Sequence, residues 1–157
     1  MALNNFTKLI IAVALPLAVG GISSYFTLQA IPTWYTTLHA PSFNPPNWIF
    51  GPVWTTLYIL MGISLYLIWK MPETPERNTA CIVFLIQLVF NFSWSFSFFY
   101  FKNIGFALII IIALWLSIAV TLLLFYKIKP IAAYINIPYL CWVSFATALN
   151  FAYFRLN

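Results

Sequence analysis

Five apolar runs dominate this chain, and short polar or charged stretches separate them. The runs cover residues 6–28, 48–69, 79–101, 104–126 and 131–154. Each run has about 22 residues, which at about 1.5 Å per helical residue is enough to cross the hydrocarbon core of a bilayer. The pattern predicts an all-α integral membrane protein, with a single bundle of five transmembrane helices in one domain over residues 1–157.

The first run resembles a secretory signal, but we interpret it as a retained helix. It is longer than the apolar part of a signal peptide, it contains Pro16, Gly20 and Gly21, and it lacks a small-x-small cleavage site before Gln29.

The connection between the first two runs is unusual because it is polar without formal charge. It carries four prolines and several large apolar side chains. The prolines are Pro32, Pro41, Pro45 and Pro46, and the large side chains are Trp34, Tyr35, Leu38 and Phe43. An uncharged aromatic loop is better placed against the bundle than in water, so we predict an aromatic, proline-rich lid loop between helices 1 and 2.

Composition supports the membrane assignment. The chain is 64% hydrophobic and only 6% charged, whereas an ordinary soluble domain has about 25% charged residues. The net charge of +5 comes from basic residues scattered singly between apolar runs. Such residues are typical of membrane-end anchors, and no nucleic-acid partner is expected.

The distribution of lysine and arginine predicts the orientation. Lys8, Lys70, Arg77, Lys127 and Lys129 fall on the side of the N-terminus, against Lys102 and Arg155 on the other side. The positive-inside rule then predicts a multi-pass protein with a cytoplasmic N-terminus. The short ends favour a bacterial cell membrane.

Most catalytic chemistries are excluded by the shortage of ionisable groups in the spans. Ion-coupled transporters usually need such groups at membrane depth. Glu73 and Glu76 share one short loop, which argues against two-carboxylate hydrolysis. His39 stands alone and Cys81 and Cys141 lie in apolar runs, so no metal site, disulfide or cofactor is expected.

Polar and aromatic residues recur at helical spacing on three of the runs. The second run has Trp54, Tyr58 and Met61; the third has Gln87, Asn91 and Ser95 with Trp94 beside them; the fifth has Tyr139, Trp142, Ala146, Asn150 and Tyr153. Taken singly, the amides are typical of hydrogen bonds between helices, and Trp48, Trp69 and Trp115 of interfacial or packing residues. Together, the three stripes favour an aromatic-lined pocket for a flat apolar ligand.

Two further features concern helix packing. Ala12, Pro16, Gly20 and Ser24 form a stripe of small residues that lets another helix approach closely, either in the same chain or in a second copy. Pro138 is expected to kink the fifth helix, which would widen the cavity or serve a structural purpose only.

Four segments resemble the TspO/translocator protein family, also known as tryptophan-rich sensory proteins or peripheral-type benzodiazepine receptors. They are Trp34-Tyr35, FNPPNWIFGPVWTTLY from Phe43 to Tyr58, FNFSW from Phe90 to Trp94, and IPYLCWVSFATALNF from Ile137 to Phe151. The resemblance covers nearly the whole chain and implies a five-helix bundle. It also implies binding of porphyrins such as protoporphyrin IX and haem, and of sterols and isoquinoline or benzodiazepine compounds.

The resemblance assigns pocket residues. It implies ligand contacts from Tyr35, Trp54, Asn91, Trp94, Trp142 and Ala146, to which the second-run stripe adds Tyr58. Leu149, Tyr153 and Arg155 match a weak cholesterol motif, whose alternative is an interfacial tyrosine and arginine that anchor the helix end.

These observations predict a membrane receptor or carrier that binds porphyrins in the bundle, with a sensory or regulatory role in tetrapyrrole metabolism. One alternative is a catalyst of light-dependent porphyrin breakdown, for which Trp54 and Trp142 are the candidate catalytic residues. Others are a transporter of tetrapyrroles or sterols and a regulatory partner protein. We also expect the protein to form a homodimer in the bilayer.

Overall fold

A computed structural model describes residues 3–157, and this part of the chain is helical without strands. The helices are α1 (Asn5–Ala30), α2 (Asn47–Trp69), α3 (Pro75–Ser95), α4 (Ile104–Ile128), α5 (Pro130–Ile135) and α6 (Ile137–Leu156). A π-helical turn, Phe96–Tyr100, extends α3, and α5 and α6 follow each other almost without interruption. The result is five stretches long and apolar enough to cross a membrane, which confirms the predicted fold class.

Local signals explain where the helices begin. Asn4 caps α1 by accepting a hydrogen bond from the Thr7 amide at 2.8 Å, and Asn103 does the same for Phe106 in α4 at 2.9 Å. The third helix begins at Pro75, four residues before the predicted start at 79, because Thr74 caps it and proline is favoured in a first helical turn.

The fifth stretch is broken at Asn136. Pro138 lies in the first turn of α6 and has no backbone N–H to continue the hydrogen bonds of α5. The Asn136 amide donates to the Ser64 hydroxyl at 2.7 Å, which donates to the Ala132 carbonyl at 2.6 Å. These contacts hold the break against α2 in a packed part of the bundle, so it does not widen the cavity described below.

The small residues of α1 pack against α2 of the same chain. An added Cβ at Gly20 would collide with the ring of Tyr58, and one at Gly62 would lie 2.5 Å from the Val13 Cα atom. Ala12 is fully buried at this contact. The stripe therefore brings α1 and α2 together, although Ser24 at its end is exposed.

The outside of the bundle is apolar. On α4, for example, Ile109, Leu116 and Leu123 repeat every seven residues and are each more than half exposed. Such a surface is suited to lipid rather than water. Of the basic residues predicted to anchor the membrane ends, Arg77 is instead buried in the first turn of α3, 3.6 Å from the exposed Glu73 carboxylate.

Candidate ligand-binding cavity

A cavity of about 480 Å³ lies between α1, α2, α3 and α6 beneath the loop of residues 31–46. Its volume is in the range of pockets that hold drug-sized molecules. Its walls are formed mainly by aromatic, small and hydroxyl side chains, and none of its lining residues is acidic, basic or histidine. An uncharged interior of this kind favours an apolar ligand or the apolar part of a larger one.

One wall of the cavity is a layer of nearly parallel aromatic rings. The Trp54 ring lies 5.5 Å from the Tyr58 ring at an interplanar angle of 27°, and 6.2 Å from the Trp94 ring at 31°. Because the Trp54 and Tyr58 rings stack on each other, the three rings do not form one plane; their free faces and edges give the cavity an aromatic surface against which a flat molecule can pack.

Hydrogen bonds fix this wall from behind. The Tyr58 hydroxyl donates to the Asn91 side-chain oxygen at 2.7 Å, and the Asn91 amide donates to the Tyr139 hydroxyl at 3.0 Å. The Tyr139 hydroxyl in turn donates to Gln87 at 2.8 Å. Because all four side chains are buried, this hydrogen-bond network is shielded from water and restricts the position of the rings.

The Trp94 ring is held by a second set of bonds. Its indole N–H donates to the Asn150 side-chain oxygen at 3.0 Å, and the Asn150 amide donates to the Ile104 carbonyl at 3.0 Å. Asn150 thus links α3, α4 and α6 at one side of the cavity. This is the hydrogen bonding between helices that is typical of a single buried amide.

Trp142 and Ala146 of α6 form the opposite side. The Trp142 ring packs edge-on against Phe50 at 6.1 Å, and Ala146 lies one turn further along α6. Because the side chain of Ala146 is small, it leaves space in the cavity that a larger residue would fill.

The loop contributes Tyr35 to the cavity. Its ring packs against Phe98 and Tyr153, and its hydroxyl donates to the Asn44 side chain at 3.0 Å. Burial raises the pKa of the Tyr35 phenol above its ordinary value, so this group stays neutral. The loop is also tied to the end of α6, where the Asn157 side chain accepts from the His39 amide at 2.9 Å. Its role as a lid stays a prediction.

Two cavity residues carry buried polar atoms that have no hydrogen-bond partner among residues 3–157. They are the Ser23 hydroxyl on α1 and the Trp142 indole N–H on α6. Buried polar atoms are nearly always paired. Neither atom is open to the cavity itself, so a ligand would reach them only after the side chains turn towards it.

The seven residues predicted to bind a ligand all line this one cavity. They are Tyr35, Trp54, Tyr58, Asn91, Trp94, Trp142 and Ala146. Three other members of the stripes do not line it: Met61, Gln87 and Tyr139 lie in the packed core beside it.

The three residues of the sterol motif do not share one lipid-facing surface. Leu149 and Tyr153 line the cavity and are buried, whereas Arg155 is exposed. Tyr153 is only 1% exposed, so it is not the interfacial anchor of the alternative interpretation either.

Sequence reasoning missed the contribution of α1. Gly20, Ser23 and Thr27 line the cavity, but the small-residue stripe had been interpreted only as a helix contact. Ser23 and Thr27 lie four residues apart and therefore on one face of α1, and that spacing was the available signal. Phe98 and Phe99 were also missed, because the π-helical turn that orients them leaves no clear periodicity.

Together, the fold and the cavity define a class of protein: a five-helix membrane protein with an aromatic binding cavity inside the bundle. The sequence pattern of the TspO/MBR family matches residues 12–156, and the chain belongs to this family. It is therefore an integral, multi-pass membrane protein.

Its relatives come from distant organisms. The chain is 43% identical to the tryptophan-rich protein TspO of Chlorobaculum tepidum, over 98% of both chains. It is 41% identical to the protein of the same name from Archaeoglobus fulgidus, over 98% of this chain and 99% of that one. Identity to the human translocator protein is 37%, over 79% of this chain and 75% of the human one.

Proposed function

We propose that this protein is a membrane receptor or carrier that binds porphyrins, such as protoporphyrin IX or haem, in the cavity between α1, α2, α3 and α6. The observation that carries the proposal is the layer of Trp54, Tyr58 and Trp94 rings at the wall of an uncharged cavity. A flat conjugated ring system can pack against the free faces and edges of these rings, which favours the binding of planar molecules.

The unpaired polar atoms of Ser23 and Trp142 support the same conclusion. They are hydrogen-bond donors carried by cavity-lining residues on two different helices, and a cavity that combines apolar surface with a few polar groups is typical of small-molecule sites. A planar ligand with neutral acceptor atoms at its edge would pair with them once the two side chains turn towards it.

Two expectations from the sequence stay predictions: the homodimer, and the cytoplasmic position of the N-terminus that the distribution of lysine and arginine indicates. The packing of α1 on α2 uses Gly20 and Ala12 within one chain, so a dimer needs another surface.

Titration of the purified protein with protoporphyrin IX tests the proposal through quenching of tryptophan fluorescence. The dissociation constant is taken from the midpoint, because each tryptophan variant changes the amplitude. We expect saturable quenching, and about tenfold weaker binding by Trp142→Phe, which loses both ring area and the indole N–H.

Trp69→Phe is the matched control, because Trp69 lies at the far end of α2 and does not line the cavity. Its dissociation constant should equal that of the wild type. Quenching that never saturates, or equal weakening by both variants, would contradict the proposal.

A further inference from the structure

The cavity is open on one side, and the exposed residues of its lining show where. Every lining residue that is exposed belongs to α1 or α2, whereas those from α3, α6 and the loop are buried or half-buried. On α1 the exposed residues are Gly21, Ser24 and Leu28, and on α2 they include Trp48, Gly51 and Thr55. The cavity is thus closed towards the other helices and open at the gap between α1 and α2.

The gap begins where the close contact between α1 and α2 ends. From Gly62 beside Val13 to Gly20 beside Tyr58 there is no space for an added methyl group. One residue beyond Gly20, an added Cβ at Gly21 would meet no atom within 4 Å, and the same is true of Gly51. Gly21 and Gly51 both line the cavity and have open space around them, and they flank the gap between the two antiparallel helices on the side nearer the loop.

The position of this opening identifies its surroundings. Gly21, Ser24, Gly51 and Thr55 lie within helices long and apolar enough to span the membrane, so the gap faces the acyl chains rather than water. Loop residues give no comparable opening, because Tyr35 is only 8% exposed and the loop is tied to Asn157 at the end of α6.

We propose that the gap between α1 and α2 is a lateral portal through which a ligand dissolved in the bilayer enters and leaves the cavity. The inference rests on the proposed function, since it concerns the same cavity. It also predicts the orientation of the ligand. The cavity lining has no charged side chain to pair with a carboxylate, so the charged arms of a porphyrin stay at the end of the portal near Asn47 and Trp48, where α2 begins and the membrane surface is close, and its apolar ring lies inside.

The test narrows the portal by enlarging two of its exposed residues on α1. Gly21→Leu and Ser24→Leu, combined in one variant, place two branched side chains in the gap. Gly21 has open space around it, and the Ser24 hydroxyl bonds only to the Gly20 carbonyl of its own helix. Gly51 is a poorer choice, because it precedes Pro52 and a larger residue there is sterically restricted.

The matched control combines Ala14→Leu and Ala18→Leu. Both alanines are exposed on the same helix and do not line the cavity. A third variant, Asn157→Ala, removes the contacts that tie the loop to α6 and so tests the route through the loop.

The measurement is stopped-flow quenching by protoporphyrin IX with each protein in lipid nanodiscs. For the portal variant we expect association and dissociation both to slow by roughly tenfold, as for a gating step, whereas damage to the cavity itself would speed dissociation. The control variant (Ala14→Leu with Ala18→Leu) and Asn157→Ala should both keep wild-type rates.

Unchanged rates in the portal variant, or faster exchange in Asn157→Ala alone, would overturn the portal while leaving the binding function in place. An equal slowing by the alanine control would overturn it as well, because the effect would then come from larger side chains on α1 in general. Absence of saturable binding by the wild type would instead contradict the proposed function.

Discussion

The two ends of the bundle use similar residues for opposite purposes. Towards the loop, Trp54, Trp94 and Trp142 surround a cavity of about 480 Å³. Towards Asn136, the space beside Met61, Phe84, Gln87 and Tyr139 has no room for a water molecule. Aromatic and amide side chains occur in both regions, so composition alone does not make a binding site.

The difference comes from how the helices are spaced. Near Asn136, α5 fills the bundle and Phe84 of α3 stacks on Phe125 of α4 at 5.9 Å with an angle of 12°. Towards the loop, the exposed residues Gly21 and Gly51 flank a gap between α1 and α2. The packed region near Asn136 thus fixes the positions of the helices. This support allows the region near the loop to keep an open cavity that can hold a ligand.

The largest expected effect is on stability, and it compares one phenylalanine of the packed region with one of the cavity. Phe84→Ala creates a hole in the packed region and should lower the free energy of unfolding by about 2–4 kcal/mol, since the surrounding helices relax only partly. Phe99→Ala enlarges a cavity that is already open and should cost about 1 kcal/mol or less. Thermal unfolding in one detergent compares the two variants.

Binding of protoporphyrin IX should respond in the opposite order. Phe84 does not line the cavity and Phe99 does, so only Phe99→Ala should weaken binding. Equal losses of stability, or weaker binding by the Phe84 variant, would show that the two regions are not independent.

The next effect concerns the boundary between the regions. Asn91 lines the cavity and also bridges Tyr58 and Tyr139. Asn91→Leu leaves the buried Tyr58 hydroxyl without its acceptor, which should cost about 1–3 kcal/mol of stability. It should also weaken porphyrin binding, because the Tyr58 ring loses its support.

Gln87→Leu is the comparison for Asn91→Leu. Gln87 accepts a hydrogen bond from Tyr139 in the same network but does not line the cavity. We expect a similar loss of stability with an unchanged dissociation constant. If both variants weaken binding equally, the network as a whole shapes the cavity and the boundary at Asn91 has no special role.

The sequence was sufficient for the architecture and for part of the site. Apolar runs of about 22 residues admit few structures besides membrane helices, and stripes at helical spacing correctly placed Trp54, Asn91 and Trp142 on one cavity. Periodicity assigns a residue to a face of a helix but not to a depth along it. Met61 and Gln87 therefore share their faces with cavity residues and yet lie in the core.

Other features depend on tertiary packing and leave little trace in a sequence. The separation of α1 from α2 follows from contacts at Gly20 and Gly62 between helices, and each glycine alone is compatible with many arrangements. The early start at Pro75 was readable from Thr74 and the proline after it, and was missed because proline was treated only as a helix breaker.

The smallest expected effect concerns the loop above the open region. Tyr35→Phe removes the hydrogen bond to Asn44 and should cost about 0.5–1.5 kcal/mol in the stability of the docked loop. Hydrogen exchange of residues 31–46, compared between the variant and the wild type, measures this change.

The same residue predicts a dependence on alkaline pH. Burial raises the pKa of the Tyr35 phenol, so the docked loop keeps the group neutral where an undocked loop would ionise it, above about pH 10. The stabilisation is fully present below that pH and is lost as the pH rises further, because ionisation then favours the undocked state. Exchange in the loop should therefore accelerate above about pH 10 more in the wild type than in Tyr35→Phe, after correction for the intrinsic rate. The same acceleration in both would mean that other groups control the loop and that Tyr35 docks it through packing alone.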